Sequence, residues 1–359
     1  MIPAEVPNLV AGEERPPTSG AWLEKMRPAD GVDLCRVARS GSADVDAAVA
    51  AAREAQVEWG ARTAVERGDV VRAIAALLRE RREEASEIVA AETGKGIELA
   101  RGETDAAVEM GFFVAGEGRR SYGRTTTASM PHRTVLTLRR PVGVAALLIS
   151  FNTPLPNVAW KAFPSIFCGN GSVLKPSEHT PVSAWWLGRL CLEAGLPPGV
   201  LNVIQGLGPE AGMPLVEDPR VDLVSFTGSA ATGRLIGEAA GRRLAKTVME
   251  LGGKNALVVC DDADLDVAVR WTLASAFSNA GQRCASASRV VVFDSVYEAF
   301  SEKLAEGARS LEPVQQRHDE LGRRHDAVER FGKSRGLHGH EQQRDRLLEP
   351  LDGFDSLRE

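Results

Sequence analysis

The sequence predicts an α/β protein whose core is a parallel sheet with helices on both faces. Three observations carry that reading. From Pro141 onward, short apolar runs alternate with helical patterns, as strands buried on both sides do. The loops after Ser150, Leu174 and Phe226 then fall at the carboxyl ends of neighbouring strands and line one crevice, where such sheets bind ligands. Finally, NALVVC (255–260) and SRVVVF (288–293) flank a helical stretch and form a second, smaller α/β unit.

Taken in order, residues 1–40 are rich in proline, glycine and charge and read as irregular surface chain with short extended pieces. Residues 43–60 are alanine-rich, start at Asp44 and stop at Gly60, which predicts a helix. One or two helices follow over 65–95, with apolar positions at helical spacing and an Arg/Glu run on the solvated face. A further helix reaches about residue 118. Residues 125–141 alternate Thr, Val and Leu with polar residues, as a half-buried strand does, and project from the domain to pair with another subunit. The strands of the main unit are VGVAALLIS (142–150), NGSVLKPS (170–177), LNVIQG (201–206) and VDLVSFTGS (221–229). Trp160, Trp185, Trp186 and Trp271 fall within helices and read as core.

Composition narrows the class. With 359 residues, 43% hydrophobic and 26% charged, the chain is an ordinary soluble globular protein with material for a real core. A net charge of −6 argues against general affinity for nucleic acid or an anionic membrane. The first residues carry no secretory signal, and no apolar run is long enough to span a bilayer. Five scattered cysteines, without paired spacing, read as reduced cytoplasmic thiols and exclude a zinc site. Cys168 and Cys260 lie in apolar surroundings and read as small buried hydrophobes. Cys284, flanked by Gly281, Gln282, Arg283 and Ser286, reads as an exposed thiol.

The chemistry gathers between Glu250 and Cys284. A cysteine nucleophile with a carboxylate base is a recognised catalytic pairing. SFNTPLPNVAWKAFPSIFCGN–GSVLKPSE, SFTGSAATGR, MELGGKN and GQRC occur in that order, and together they resemble the NAD(P)-dependent aldehyde dehydrogenase superfamily over roughly residues 40–311. The fold class expected is therefore aldehyde dehydrogenase-like. It comprises a Rossmann-type cofactor domain, a partial α/β catalytic domain and a projecting oligomerisation strand. The resemblance implies that Cys284 attacks an aldehyde and that Asn152 donates to the oxyanion beside the Cys284 N–H. It also implies that Glu250 activates water and that Lys161 lies near the proton-relay path. For the cofactor it implies NAD, with Lys175 and Glu178 on the adenosine ribose. Gly228 and Ser229 would meet the pyrophosphate at a helix start, and Ser177, Phe226, Thr232 and Leu251 belong to the same site. A glutamate at position 178 repels a 2′-phosphate, which favours NAD over NADP.

The expected division is 1–124, an N-terminal helical part of the cofactor domain; 125–141, the oligomerisation strand; 142–250, the NAD-binding domain; and 251–311, the partial catalytic domain. Residues 312–359 hold four of the six histidines and lack the family's EIFGP-like motif, and they read as a divergent, disordered tail of a truncated or frame-disrupted member. The partners expected are a small aldehyde and, for the family, further copies of the chain. Two alternatives stay open: a truncated NAD-binding or interaction protein without turnover, and a CoA-acylating relative, against which Glu250 stands.

Overall fold

The computed structural model describes residues 2–311, which form two compact units divided between Leu251 and Gly252. The tail expectation for 312–359 lies outside the described residues.

The first unit opens with β1 (Glu5–Val6), the hairpin of β2 (Asn8–Val10) and β3 (Glu13–Arg15), then β4 (Trp22–Met26) and β5 (Asp33–Ala38). Strands β1, β5 and β4 make a small sheet of their own. Residues 1–40 are thus more ordered than expected, and Asn8–Val10 is buried throughout. Four helices follow: α1 (Ser42–Ala61), α2 (Ala64–Glu80), α3 (Arg82–Thr93) and α4 (Ile97–Ala115). Thr63 and Glu66 start α2 with a reciprocal capping box. Gly94 ends α3 at φ +74°, the left-handed position that glycine adopts without strain. The corner it makes turns the chain sharply into α4.

A ribbon of β6 (Thr125–Thr127) and β7 (Thr134–Leu136) comes next. All six residues are exposed and not half-buried as expected, because among the described residues these strands pair only with each other.

The main sheet is built from β8 (Val144–Leu148), β9 (Gly171–Lys175), β10 (Leu201–Val203), β11 (Leu223–Gly228) and β12 (Lys246–Leu251). The helices between them are α5 (Pro154–Phe167), α6 (Pro181–Glu193), α7 (Met213–Glu217) and α8 (Ala230–Arg242). Strand order is β12-β11-β8-β9-β10-β2-β3, with the first five parallel and β2 antiparallel to β10. Strand order reverses between β8 and β11, which are parallel, so their carboxyl ends open the crevice such folds use for ligands.

Alternation along β8 shows why an unbroken apolar run suits this strand. Val144, Ala146 and Leu148 join a core with Val45, Leu215 and Ile236 on one face. Ala145, Leu147 and Ile149 join Val158, Phe163 and Leu187 on the other. Each fully buried leucine or phenylalanine contributes roughly 1.5–3 kcal/mol. Strand β12 escaped the sequence reading because it is an edge strand: five of its six residues are exposed, so it carries no buried run.

A buried carboxylate ties α3 to α6. Glu92 accepts from the Val182 N–H at 2.9 Å and the Ser183 N–H at 3.3 Å, at the α6 N-terminus. Burial pushes its carboxyl up to about 7, against the pull of those donors.

The second unit is a single β–α–β turn with one more helix: β13 (Asn255–Val259), α9 (Leu265–Phe277), β14 (Ala287–Val292) and α10 (Tyr297–Arg309). β13 and β14 are parallel, and Val259, Val269, Phe300 and Leu304 form the core. Asp264 caps α9 by accepting from the N–H groups of Asp266 and Val267.

Two side-chain expectations are corrected. Trp185 and Trp186 are buried, but Trp160 and Trp271 are 50% and 61% exposed, because they sit on the outward sides of α5 and α9. Cys168 and Cys260 are exposed because each stands just past the end of its element, where the chain turns out of the core. Among the described residues no helix is long and apolar enough to cross a membrane.

Candidate active site

Asn152 lies in the loop after β8. Its side-chain oxygen accepts from Ser150 Oγ at 2.7 Å and from Asn157 Nδ2 at 3.3 Å, Asn157 standing in the first turn of α5. Two donors on Oδ1 set the orientation of the amide, whose donor end is Nδ2. The Asn152 carbonyl accepts from Lys95 Nζ at 2.8 Å.

Lys161, on α5, is buried, and its ammonium donates to Ser225 Oγ on β11 at 2.8 Å. Burial pulls its pKa down from 10.5 to about 8, and the Glu250 carboxylate partly offsets that fall. Glu250 is the penultimate residue of β12, opposite Thr227 on β11, with its side chain exposed. Lys161 is therefore a buried cation and not a surface lysine.

That burial has a measurable consequence. The unfolded chain holds the Lys161 proton more tightly than the folded one, so wild-type stability rises between pH 8 and 10.5. Lys161→Met is expected to stabilise the protein at pH 7 by about 1–3 kcal/mol, since every tenfold loss of proton affinity on folding costs about 1.4 kcal/mol. Denaturant midpoints at pH 7 and pH 10 check this, the variant's advantage shrinking at the higher pH. A variant less stable than wild type at pH 7 contradicts it.

The cofactor candidates stand at the carboxyl ends of β9, β11 and β12. Lys175 is buried at the end of β9, its pKa lowered by burial and partly restored by Glu178, 3.5 Å away. Ser177 Oγ accepts from the His179 N–H at 3.2 Å. The Phe226 ring lies across Gly228 and fills the space a side chain there would take. Ser229 caps α8, accepting from the Thr232 N–H at 3.1 Å and donating to Thr232 Oγ1 at 3.0 Å. Leu251 packs against Gly233 in the first turn of α8. An α8 N-terminus beside the strand-order reversal, with a lysine–glutamate pair at the end of β9 on the other side of β8, is a donor and acceptor set that fits a dinucleotide.

Asn152, Lys161, Glu250 and all the cofactor candidates belong to the first unit, whereas Cys284 belongs to the second. Its thiol is exposed. The chain reaches it through three consecutive left-handed residues, Asn279, Ala280 and Gly281, at φ 54°, 55° and 69°. For the two non-glycine residues that conformation costs on the order of 1–3 kcal/mol each, and such strain clusters at functional segments. Asn255 donates to the carbonyls of Cys284 and Ser286, pinning the segment to β13. Among the described residues no group of three or more His, Cys, Asp or Glu forms a metal site.

Sequence reasoning did not single out Asn255, Lys95, Glu103, Asn157 or Ser225. Asn255 ends the MELGGKN motif, so its position was a signal that went unused. Asn157 lies in the SFNTPLPN stretch and was likewise unused, whereas Lys95 and Ser225 act through the long-range contacts to Asn152 and Lys161, which spacing alone does not reveal.

The Aldehyde dehydrogenase family profile matches residues 15–323. The chain is 38% identical over 301 residues to a mitochondrial succinate-semialdehyde dehydrogenase of Arabidopsis thaliana, covering 82% of this chain and 57% of that protein. It is 37% identical to an NADP(+)-named succinate-semialdehyde dehydrogenase of Escherichia coli, covering 84% of this chain and 63% of the relative. Among solved structures, a betaine aldehyde dehydrogenase of Staphylococcus aureus in complex with NAD+ superposes with a TM-score of 0.83 at 31% identity, over 86% of this chain and 61% of that one. The chain spans about three-fifths of the length of these relatives.

Proposed function

The chain belongs to the aldehyde dehydrogenase family, and on that premise we propose that it oxidises an aldehyde to a carboxylic acid with NAD+. Cys284 is the nucleophile: its thiol releases its proton to solvent, the thiolate sulfur bonds to the aldehyde carbon as the carbonyl π bond breaks, and the oxygen takes the negative charge. Asn152 Nδ2 and the Cys284 N–H donate to that oxygen. The dinucleotide, when bound, supplies the hydride acceptor. Loss of hydride leaves an acyl group on Cys284 as a thioester. Glu250 takes a proton from the water that attacks the thioester carbon, the acid departs and the thiol is restored. Lys161, with its pKa near 8, exchanges protons along this path. Lys175 and Glu178 hold the adenosine ribose, Glu178 accepting from its hydroxyls. Ser177 lies beside them. Gly228, Ser229 and Thr232 present the α8 N-terminus to the pyrophosphate, and Phe226 and Leu251 wall the site.

What carries this reading is Cys284 itself, an exposed thiol on a strained segment held by Asn255, an arrangement the packing of the second unit does not require. Glu178 supports NAD over NADP, because its carboxylate repels a 2′-phosphate. The exposed apolar residues Val135, Leu136 and Leu138 support subunit pairing through residues 125–141.

The purified chain, given propanal or succinic semialdehyde with NAD+ or NADP+, tests the proposal by reduced-cofactor absorbance and product analysis. The expected result is NADH with the free acid, and NAD+ preferred at least about tenfold, the equivalent of about 1.4 kcal/mol. No aldehyde-dependent reduction of either cofactor, or product formed only with CoA, overturns it.

A further inference from the structure

We propose that Lys95, backed by Glu103, is a positioning residue that sets the Asn152 amide without touching substrate. The inference rests on the oxyanion role given to Asn152 above. Lys95 stands at the corner between α3 and α4 that Gly94 makes. A side chain at Gly94 would press on Pro28 Cβ at 3.1 Å, so both the space and the left-handed φ hold this corner to glycine. From it the lysine runs inward. Its ammonium pairs with Glu103 Oε1, in the second turn of α4, at 2.5 Å and donates to the Asn152 carbonyl at 2.8 Å. Both side chains are about 5% exposed.

A buried pair of this kind is a poor device for stability alone. Removing two charges from water costs several kcal/mol per ion, and apolar pairs of similar volume often serve the fold equally well. Here the ammonium has a second acceptor, and that acceptor is the backbone of the residue proposed to bind the developing negative charge. Ser150 and Asn157 hold the Asn152 side-chain oxygen, and Lys95 holds its main chain. The three contacts fix the residue at both ends. Glu103 holds the ammonium in place at 2.5 Å. Such a clamp matters because displacing a reacting group by about an ångström costs around a hundredfold in rate.

The test uses the full chain and compares Lys95→Met/Glu103→Leu, Asn152→Ala, the triple variant and Lys95→Arg. The double variant removes both charges and keeps apolar volume, so it is expected to melt near wild type. Its kcat is expected to fall roughly 10–100-fold with KM within about threefold, as for loss of a transition-state interaction. Asn152→Ala falls further, about 10²–10³-fold, the range for a lost oxyanion donor. The triple variant is expected to be no slower than Asn152→Ala, because both changes remove one interaction. Lys95→Arg, which can still donate to the carbonyl, recovers part of the loss. Wild-type kcat in the double variant overturns the clamp. Wild-type kcat in Asn152→Ala, or no turnover by the unaltered chain, overturns the functional reading instead. Should the double variant not fold, Glu103→Gln keeps the shape without the countercharge. A several-fold lower kcat at unchanged KM then supports the clamp, and an unchanged kcat overturns it.

Discussion

Cys284→Ala is expected to reduce aldehyde-dependent NADH formation by at least about 10⁴-fold, the scale seen when a covalent nucleophile is removed. The melting temperature and NAD+ affinity should stay at wild-type values, because the thiol is exposed and forms no part of the second unit's core. Two of the other thiols are poor substitutes. Cys35 and Cys191 are buried, and burial pushes both up to about 12, where almost no thiolate exists at neutral pH. Cys168 and Cys260 are exposed and are the real competitors for an alkylating reagent. Limiting iodoacetamide followed by peptide mapping therefore asks a three-way question. Modification at Cys284 should track the loss of activity one for one, and saturating NAD+ with an aldehyde should slow it. Retention of more than about a tenth of wild-type turnover by the alanine variant, with nucleophile loss worth so much more, removes Cys284 from the mechanism. So does inactivation that follows label on Cys168 or Cys260.

How far the sequence could be read depended on whether each feature was local. Strand β8 announced itself because burial on both faces demands an unbroken apolar run, and β9, β10 and β11 did so through short, largely buried apolar stretches alternating with helical patterns. Strand β12 stayed hidden, since an edge strand with exposed residues needs no such run, although the motif containing Glu250 lies on it. The β2–β3 hairpin was hidden for another reason. Its place beside β10 is decided by pairing across nearly two hundred residues, as in the Ala11 N–H donating to Asn202 Oδ1 at 2.9 Å. At the site, motif residues such as Asn152, Glu250 and Cys284 were legible through their type and neighbours. Lys95 and Glu103 were not, because a lysine after a helix-ending glycine is ordinarily solvent-exposed. Only the fold turns this one inward.

The largest structural effect is expected at the seam between α1 and β9. Gly171→Ala should destabilise the first unit by about 3 kcal/mol or more, the upper end of the cost of overpacking a core. A methyl there would overlap the Ala52 carbonyl oxygen, with the carbonyl carbon only 2.8 Å away and Gln56 Cβ at 3.2 Å. Helix α1 cannot simply back off. Gln56 donates to the Gly169 carbonyl at 3.2 Å, and Trp59 Nε1 donates to the Ile166 carbonyl at 2.8 Å, so its register is tied to the very segment that leads into β9. Moving the helix would also open the core that Val45, Ala48, Val49 and Ala52 close over Val144, Ala146 and Val173. At roughly 2–4 °C per kcal/mol for a unit of this size, the melting temperature should drop by about 6–12 °C. Gly102→Ala is the internal contrast. Gly102 is exposed within α4, and nothing lies within 4 Å of a methyl placed there, so that variant should gain up to about 1 kcal/mol from helix propensity alone. Scanning calorimetry of the two variants beside wild type decides the matter. If both move the midpoint by less than about 2 °C, worth no more than about 1 kcal/mol, then α1 yields at this seam and the tight packing claimed for it is wrong.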